Sequence, residues 1–282
     1  MADEALKQDV QREWQAAAAG YAKWDTVLAA GLTGPTQVML DLAGVGPDMR
    51  VLDLACGAGG QTMLLAERVG AGGEVVAADI SAEMLGHTRE RAAQAGFDMI
   101  ETLETAAEDL NVPAESFDAA ICRLGLMLFP NPEAGLASVE RALKPGARLA
   151  AVVFSTPETN TYMAESIRIL RDHAGKPPAP AREPGVFALG EPGLLERLFE
   201  EAGFDDVGTQ ILRGQLKLAS GSEAVEMMRQ AFGAFRAIIS DLSPQDQDAA
   251  WADVGNFLAS LEGPQGFEVE RTFLVASGAK RV

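Results

Sequence analysis

Residues able to do chemistry concentrate in one stretch, Val51-Leu-Asp-Leu-Ala-Cys-Gly-Ala-Gly-Gly-Gln-Thr62. Gly57 and Gly59 let the backbone turn sharply and approach a ligand where any side chain would collide. Asp79 ends the next apolar run, about 20 residues beyond the turn, the place from which a carboxylate reaches both hydroxyls of a ribose. Asp79 has a second reading as the cap of the helix behind it, although Ser81 already suits that position. A nicotinamide dinucleotide would use the same turn and acid, but two residues oppose it. Thr62 occupies the third fingerprint position in place of glycine or alanine. Asp53 lies close to the turn, where it would repel a pyrophosphate; it suits the cationic end of a ligand or restrains the loop amides.

The elements that must position these residues follow from the hydrophobic pattern. Residues 50–55 read as a buried strand ending at the glycine turn, and 62–69 as the helix after it. Residues 74–79 give a second strand, and 82–95 a helix opened by Ser81. Further strands are expected at 98–103, 117–122 and 148–154, with a helix over 132–143 that starts on Pro132 and a turn at Lys144-Pro-Gly146. Strands alternating with helices argue for an α/β fold, a parallel sheet covered on both faces. Residues 156–188 break the pattern: Pro157, Pro177, Pro178, Pro180 and Pro184 surround a short helical stretch near 160–173, as in an inserted cap. A helix over 191–202, a strand over 207–218, mostly helix over 222–262 and a last strand over 266–277 complete the chain.

Composition narrows the partners. The formal net charge is −18, with 41 acids against 23 bases and no lysine or arginine cluster, so nucleic acid and anionic membrane are poor substrates. No apolar run approaches the roughly 20 residues of a membrane span. Two cysteines, Cys56 and Cys122, are too few for a disulfide scaffold, and with only His87 and His173 no metal site is expected. The acidic start Met1-Ala-Asp-Glu-Ala lacks a signal peptide's basic and apolar regions, which makes the cytoplasm the expected location.

Several motifs together resemble one family. Val51 to Thr62 looks like the first motif of class I S-adenosylmethionine-dependent methyltransferases, and Ala78-Asp-Ile-Ser-Ala-Glu-Met-Leu85 like their second. Ala106-Ala-Glu-Asp-Leu-Asn-Val-Pro113 followed by Ser116-Phe-Asp118 resembles the third. Leu143-Lys-Pro-Gly146 and a helix ending Glu201-Ala-Gly-Phe204 complete the pattern. The likeness is to the small-molecule branch that resembles ubiquinone and menaquinone biosynthesis methyltransferases. It implies a Rossmann-like, seven-stranded, mostly parallel sheet with helices on both faces and helical cap inserts. It also implies S-adenosyl-L-methionine as cofactor, S-adenosyl-L-homocysteine as product, and in-line methyl transfer to a small molecule.

By that resemblance Gly57, Ala58 and Gly59 lie at the methionine half of the cofactor, where the acid Asp53 is its candidate neighbour, and Asp79 holds the ribose. Met84 packs on the adenine or is simply a core residue. Ala106, Ala107 and Glu108 border the adenine edge, although relatives often carry Asp or Asn where this chain has Ala106. Arg123, at the end of the fourth strand, binds the cofactor carboxylate, orients an anionic substrate or sits in a salt bridge. Cys56 and Cys122 end neighbouring strands and are expected close together, as plain buried thiols or near the cofactor. Tyr21 and Trp24, with Trp14 and Leu28, mark a first helix that covers the site or packs in the core. His173 is the candidate for a general base, against a surface role. The expected organisation is an N-terminal helical lid at 1–46, a cofactor-binding core at 47–155 and 189–218 with 266–282, and caps at 156–188 and 219–265 forming the acceptor pocket. Two alternatives stay open: a protein that binds the cofactor without methylating, such as a cyclase or regulatory subunit, and a nicotinamide-dependent oxidoreductase.

Overall fold

The computed structural model describes residues 2–178 and 183–282. Pro180, expected within the inserted cap, lies outside the described residues. The apolar runs of the first half become β1 (Arg50–Leu54), β2 (Glu74–Asp79), β3 (Ile100–Glu104), β4 (Phe117–Arg123) and β5 (Leu143–Phe154). They pair in parallel, and β8 (Gly266–Lys280) then runs antiparallel to both β5 and β6 (Phe204–Leu218). The order along the sheet is β3-β2-β1-β4-β5-β8-β6. The expected seven-stranded, mostly parallel sheet is therefore present; β7 (Glu262–Gly263) adds only a two-residue hairpin on β8. Strand order reverses on either side of β1, so a crevice opens at the carboxyl ends of β1 and β4.

Small residues bring the layers together. Ala77, Ala78, Ala119, Ala120, Ala150 and Ala151 are fully buried in the central strands, which lets helices approach both faces closely. α3 (Gly60–Val69) starts at Gly59, whose φ of 84° needs glycine. α4 (Ala82–Ala95) is capped as the sequence suggests: Ser81 Oγ accepts from Met84 N at 3.2 Å, and Gly96 ends the helix. α5 (Pro132–Ala142) carries Pro132 in its first turn and Asn131 as its cap, accepting from Ala134 N at 2.9 Å.

Boundaries shift where local chemistry competes with the ladder. Lys144, Pro145 and Gly146 do not form a separate turn before a strand; they bulge within β5, whose pairing with β4 jumps between Phe117 and Ala119. β6 begins at Phe204, before the expected Val207, because another irregularity between Asp205 and Gly208 keeps the chain paired with β8.

The remaining helices pack on the sheet and on one another. α1 (Ala2–Ala30) packs against α4 and against α8 (Gly221–Ala231) and α9 (Gly233–Ile238), and α2 (Thr33–Leu42) lies over β5, β6 and β8. α6 (Thr161–His173), the helix expected near 160–173, packs on α10 (Pro244–Ala259). α7 (Leu194–Glu201) covers β6. The expected helical stretch at 222–262 is thus three helices, broken at Phe232 and again before Ser243. Among the described residues no helix is long and apolar enough to cross a membrane.

Candidate functional site

The turn after β1 is shaped by backbone conformations that side chains rarely tolerate. Gly57 has φ 58° and Gly59 φ 84°. A Cβ on Gly59 would fall 2.9 Å from Thr88 Oγ1, so this glycine is required by close approach as well as by φ. Thr88 in turn donates to the Gly57 carbonyl at 2.9 Å and ties the turn to α4. Two residues that are not glycine, Ala55 and Leu124, also hold positive φ (55° and 61°) at the ends of β1 and β4. Both line the crevice. Such strain persists only where surrounding packing enforces it.

The two acids near the turn play different parts. Asp79 Oδ2 accepts from Gly57 N and Oδ1 accepts from Ser81 N, both at 2.9 Å. Asp79 therefore braces the start of α4 and the glycine turn together, while still lining the cavity. Burial pushes its carboxyl up to about 6, against the pull of the Ser81, Gly57 and Ile80 backbone groups. Asp53 is placed otherwise than expected for a cofactor contact. It is fully buried, accepts from Thr62 Oγ1 at 2.6 Å and Gln61 Nε2 at 3.2 Å, and does not line the cavity. Its side chain points to the first turn of α3, so it clamps that helix to β1. Burial raises it to about 7, with Thr62 and Gln61 drawing it back.

Beyond Asp79 the cavity wall is apolar. Met84 is buried, packs with Ala58 and Ala18, and lines the cavity beside Ile80. Ala58 and Gly59 themselves do not reach the cavity surface. Ala106, Ala107 and Glu108 line it at a single 3-10 turn (Ala107–Asp109). One oxygen of Glu108 is already committed, accepting from Asn131 N at 3.0 Å at the start of α5, and the Ala107 carbonyl accepts from Ser138.

On the opposite side α1 forms the roof. Trp14, Tyr21 and Leu28, each seven positions from the next, line the cavity, and the Trp14 and Tyr21 rings meet edge to face at 6.1 Å. A Cβ on Gly57 would sit 3.6 Å from the Tyr21 ring, so the tyrosine rests on the turn. Trp24 does not join them. It lies on an adjacent stripe of the helix, where its indole N–H donates to Gln230 of α8 at 2.8 Å. The roof is tied down by Asp25, which pairs with Arg91 of α4 at 2.5 Å.

Arg123 is buried at the end of β4, lines the cavity and donates to Thr36 at 3.1 Å; that partner is a hydroxyl, not the acid a salt bridge would need. Sequence reasoning missed a second arginine, Arg271 of β8, which is 2% exposed and lines the same cavity. The burial of Tyr21 raises its hydroxyl's pKa, and both arginines oppose that rise, which puts all three in electrostatic reach of one another. His173 lies elsewhere: its Nε2 is 2.8 Å from Asp253 at the surface of α6 and α10, outside the cavity lining. It is in no position to serve as a base there. His87 likewise stays outside, near Glu90. Cys56 and Cys122 are free and buried, but in separate clusters: Cys56 packs with Ala77 and Leu85, Cys122 in the main core. Burial pushes the Cys122 thiol up to about 12, so neither its position nor its acidity suits a nucleophile.

Comparison with known proteins finds methyltransferases. UbiE, the ubiquinone/menaquinone biosynthesis C-methyltransferase of Pectobacterium carotovorum subsp. carotovorum, is 35% identical over 188 residues, 62% of this chain and 74% of that protein. UbiE of Pseudomonas savastanoi pv. phaseolicola is 35% identical over 128 residues, 45% of this chain and 50% of that protein. The chain thus spans about half the length of the latter relative. Among solved structures, the YcgJ protein of Bacillus subtilis has TM-score 0.59 at 18% identity, covering 89% of this chain and 99% of that one. The [4+2]-cyclase SpnF has TM-score 0.55 at 18% identity, covering 88% and 80%. At such identities the solved structures speak to the fold alone. The ubiE/COQ5 methyltransferase family matches residues 4–168, a segment holding the glycine turn, Asp79, the 106–108 turn and Arg123. The chain belongs to the ubiE/COQ5 methyltransferase family.

Proposed function

We propose that this chain binds S-adenosylmethionine at the carboxyl ends of β1 and β2 and methylates a small molecule held beneath α1. The observation that carries the reading is Asp79: a buried carboxylate bonded to the glycine turn, at the cavity wall, with apolar Ile80 and Met84 beside it. Each of its oxygens accepts one backbone N–H and keeps a lone pair for a ribose hydroxyl. The residues present fit a nucleoside with a charged amino-acid end: tight glycines at one side, an acid for the sugar, and Met84 with Ala106 for the base.

Bound there, the sulfonium supplies an already activated methyl carbon for in-line displacement. The protein's own task is to hold an acceptor atom about 3–3.5 Å from that carbon and to keep water away. Residues 1–46 serve as the lid, through Trp14, Tyr21 and Leu28. The segments 156–188 and 219–265 contribute Met163, Val186, Phe232 and Phe235 to the acceptor side of the cavity. Residues 47–155, 189–218 and 266–282 form the core that carries the cofactor. Neither histidine lines the cavity, so neither serves as a base for the acceptor.

The test is transfer of isotope-labelled methyl from S-adenosylmethionine into a metabolite extract, with formation of S-adenosylhomocysteine followed in parallel. Binding of S-adenosylhomocysteine without any transfer would favour a non-methylating role, as for a cyclase of the same fold. Stabilisation by NAD in place of S-adenosylhomocysteine would remove the reading altogether.

A further inference from the structure

The acceptor side of the cavity holds more positive charge than a neutral ligand needs. Arg123 stands opposite Val152 of β5, and Val152 stands opposite Val275 of β8. Side chains alternate along a strand, so Phe273 and Arg271 share the face of Val275. The register thus sets both arginines on one face of the sheet. That face meets α1 and α2: Arg123 Nη1 donates to Thr36 Oγ1 of α2, and Arg271 Nη2 donates to the Leu28 carbonyl of α1 at 3.2 Å.

Both partners are neutral, and among the described residues neither arginine is in an ion pair. Arg123 is 6% and Arg271 2% exposed. The Arg271 guanidinium and the Tyr162 hydroxyl are both buried and within reach of each other, and the tyrosine brings no counter-charge. A buried guanidinium without counter-charge is strongly disfavoured unless an anion joins it. The nearby acids are committed elsewhere: Asp53 feels Arg123 but bonds Thr62 and Gln61, Asp79 bonds the Gly57 and Ser81 amides, and Asp25 pairs with Arg91. In a chain with 41 acids, the missing carboxylate leaves room for a ligand to supply one. Around the arginines the wall is apolar: Leu28, Phe154, Met163 and Phe235.

We infer that the methyl acceptor is an amphiphilic acid, an apolar ring or chain bearing one carboxylate that seats between Arg123 and Arg271. The inference rests on the methyl-transfer reading for the word acceptor, and on the arginine pair alone for the acid. The cofactor carries a carboxylate too, but its place is at the glycine turn. Arg271 lies on β8, three strands from β1 in the sheet order, roughly 14 Å across at about 4.8 Å per strand. Arg123, on β4 beside β1, stands nearer the turn, so Arg271 marks the far end of the seat and is the residue that distinguishes the acceptor's acid from the cofactor's.

Calorimetry on the full chain saturated with S-adenosylhomocysteine tests this, using benzoate, 1-naphthoate and decanoate, each against its primary amide. At least one acid should bind tenfold or more tighter than its amide. Arg271→Met should bring the two within threefold, while Arg271→Lys keeps part of the preference. If no acid outbinds its amide on the unmutated protein, the inference is overturned, whether or not the variants fold. 5′-Methylthioadenosine, which lacks the cofactor's carboxylate, separates the two sources. Should Arg271→Met weaken S-adenosylhomocysteine tenfold, leave methylthioadenosine unchanged and preserve the acid preference, the arginine serves the cofactor and the inference falls. If S-adenosylhomocysteine does not bind but acids still outbind amides, the methyl-transfer reading fails while the anion seat stands.

Discussion

Asp79→Asn is the sharpest perturbation of the proposed cofactor site, because it keeps the shape and removes the charge. In the native protein Oδ1 and Oδ2 each accept a backbone N–H, from Ser81 and Gly57. An asparagine offers one oxygen and one NH2, so one backbone donor loses its acceptor and one ribose hydroxyl meets a donor. Charged hydrogen bonds contribute about 1.5–3 kcal/mol each, so the expected loss in ligand binding is about 3 kcal/mol. That is on the order of 100-fold in the dissociation constant of S-adenosylhomocysteine. The pH dependence gives an independent handle. Burial raises Asp79 to about 6, and only the ionised form accepts from both hydroxyls. Native affinity should be roughly tenfold weaker at pH 5 than at pH 7, and the asparagine variant should show no such slope. For the free protein the sign is opposite. An acid raised from 3.8 in the unfolded chain to about 6 when folded stabilises fully below 3.8, and loses that contribution as pH rises through 6. Isothermal titration from pH 5 to 8, with urea unfolding of the free protein over the same range, reads both. An asparagine variant within threefold of native, or a native affinity flat across the range, would refute the ribose assignment.

Other residues carry further predictions. Asp53, raised to about 7 with both oxygens bonded internally, should cost the fold stability as pH rises from about 4 to 7; Asp53→Asn should then be at least as stable as native at pH 8, and a loss above about 2 kcal/mol in urea unfolding would show that the charge is needed. Thr62→Val removes the 2.6 Å bond to that carboxylate and should cost about 1–3 kcal/mol by the same measurement. Tyr21→Ala should weaken S-adenosylhomocysteine about tenfold, since its ring rests on the glycine turn, whereas Trp24→Phe should lower the unfolding midpoint through its lost bond to Gln230 and leave that affinity alone. His173→Ala should leave turnover within twofold of native, because its Nε2 faces Asp253 outside the cavity; a tenfold fall would restore it as a base.

How far the sequence spoke depends on how local each feature is. The glycine turn, Asp79 and Ser81 fall within one strand–helix–strand unit, and each carries its own signal: positive φ for glycine, a terminal acid, a capping hydroxyl. Asp53 shows the limit of that reading. Its spacing to the turn suggested a ligand contact, but strand alternation and burial aimed it at Thr62, the residue noticed only because it broke a dinucleotide fingerprint. The pairing of a buried strand acid with a hydroxyl nine positions on was there to be read. For Trp24 the heptad spacing of Trp14, Tyr21 and Leu28 could likewise have set it on a different stripe.

The acceptor side was hidden for a physical reason. Arg271 sits between Glu270 and Thr272 in a stretch whose polar residues look solvated. Its burial depends on β8 entering the sheet antiparallel between β5 and β6, and on α1 lying across that face, a contact that joins residues 243 positions apart at Leu28. No local pattern encodes such a meeting. The glycine turn, Asp79 and Ser81 are assembled from neighbours in sequence, whereas the arginine end of the cavity is assembled from α1, β4, β8 and the helices around them. A reading built on neighbouring residues therefore reaches the first of these and not the second.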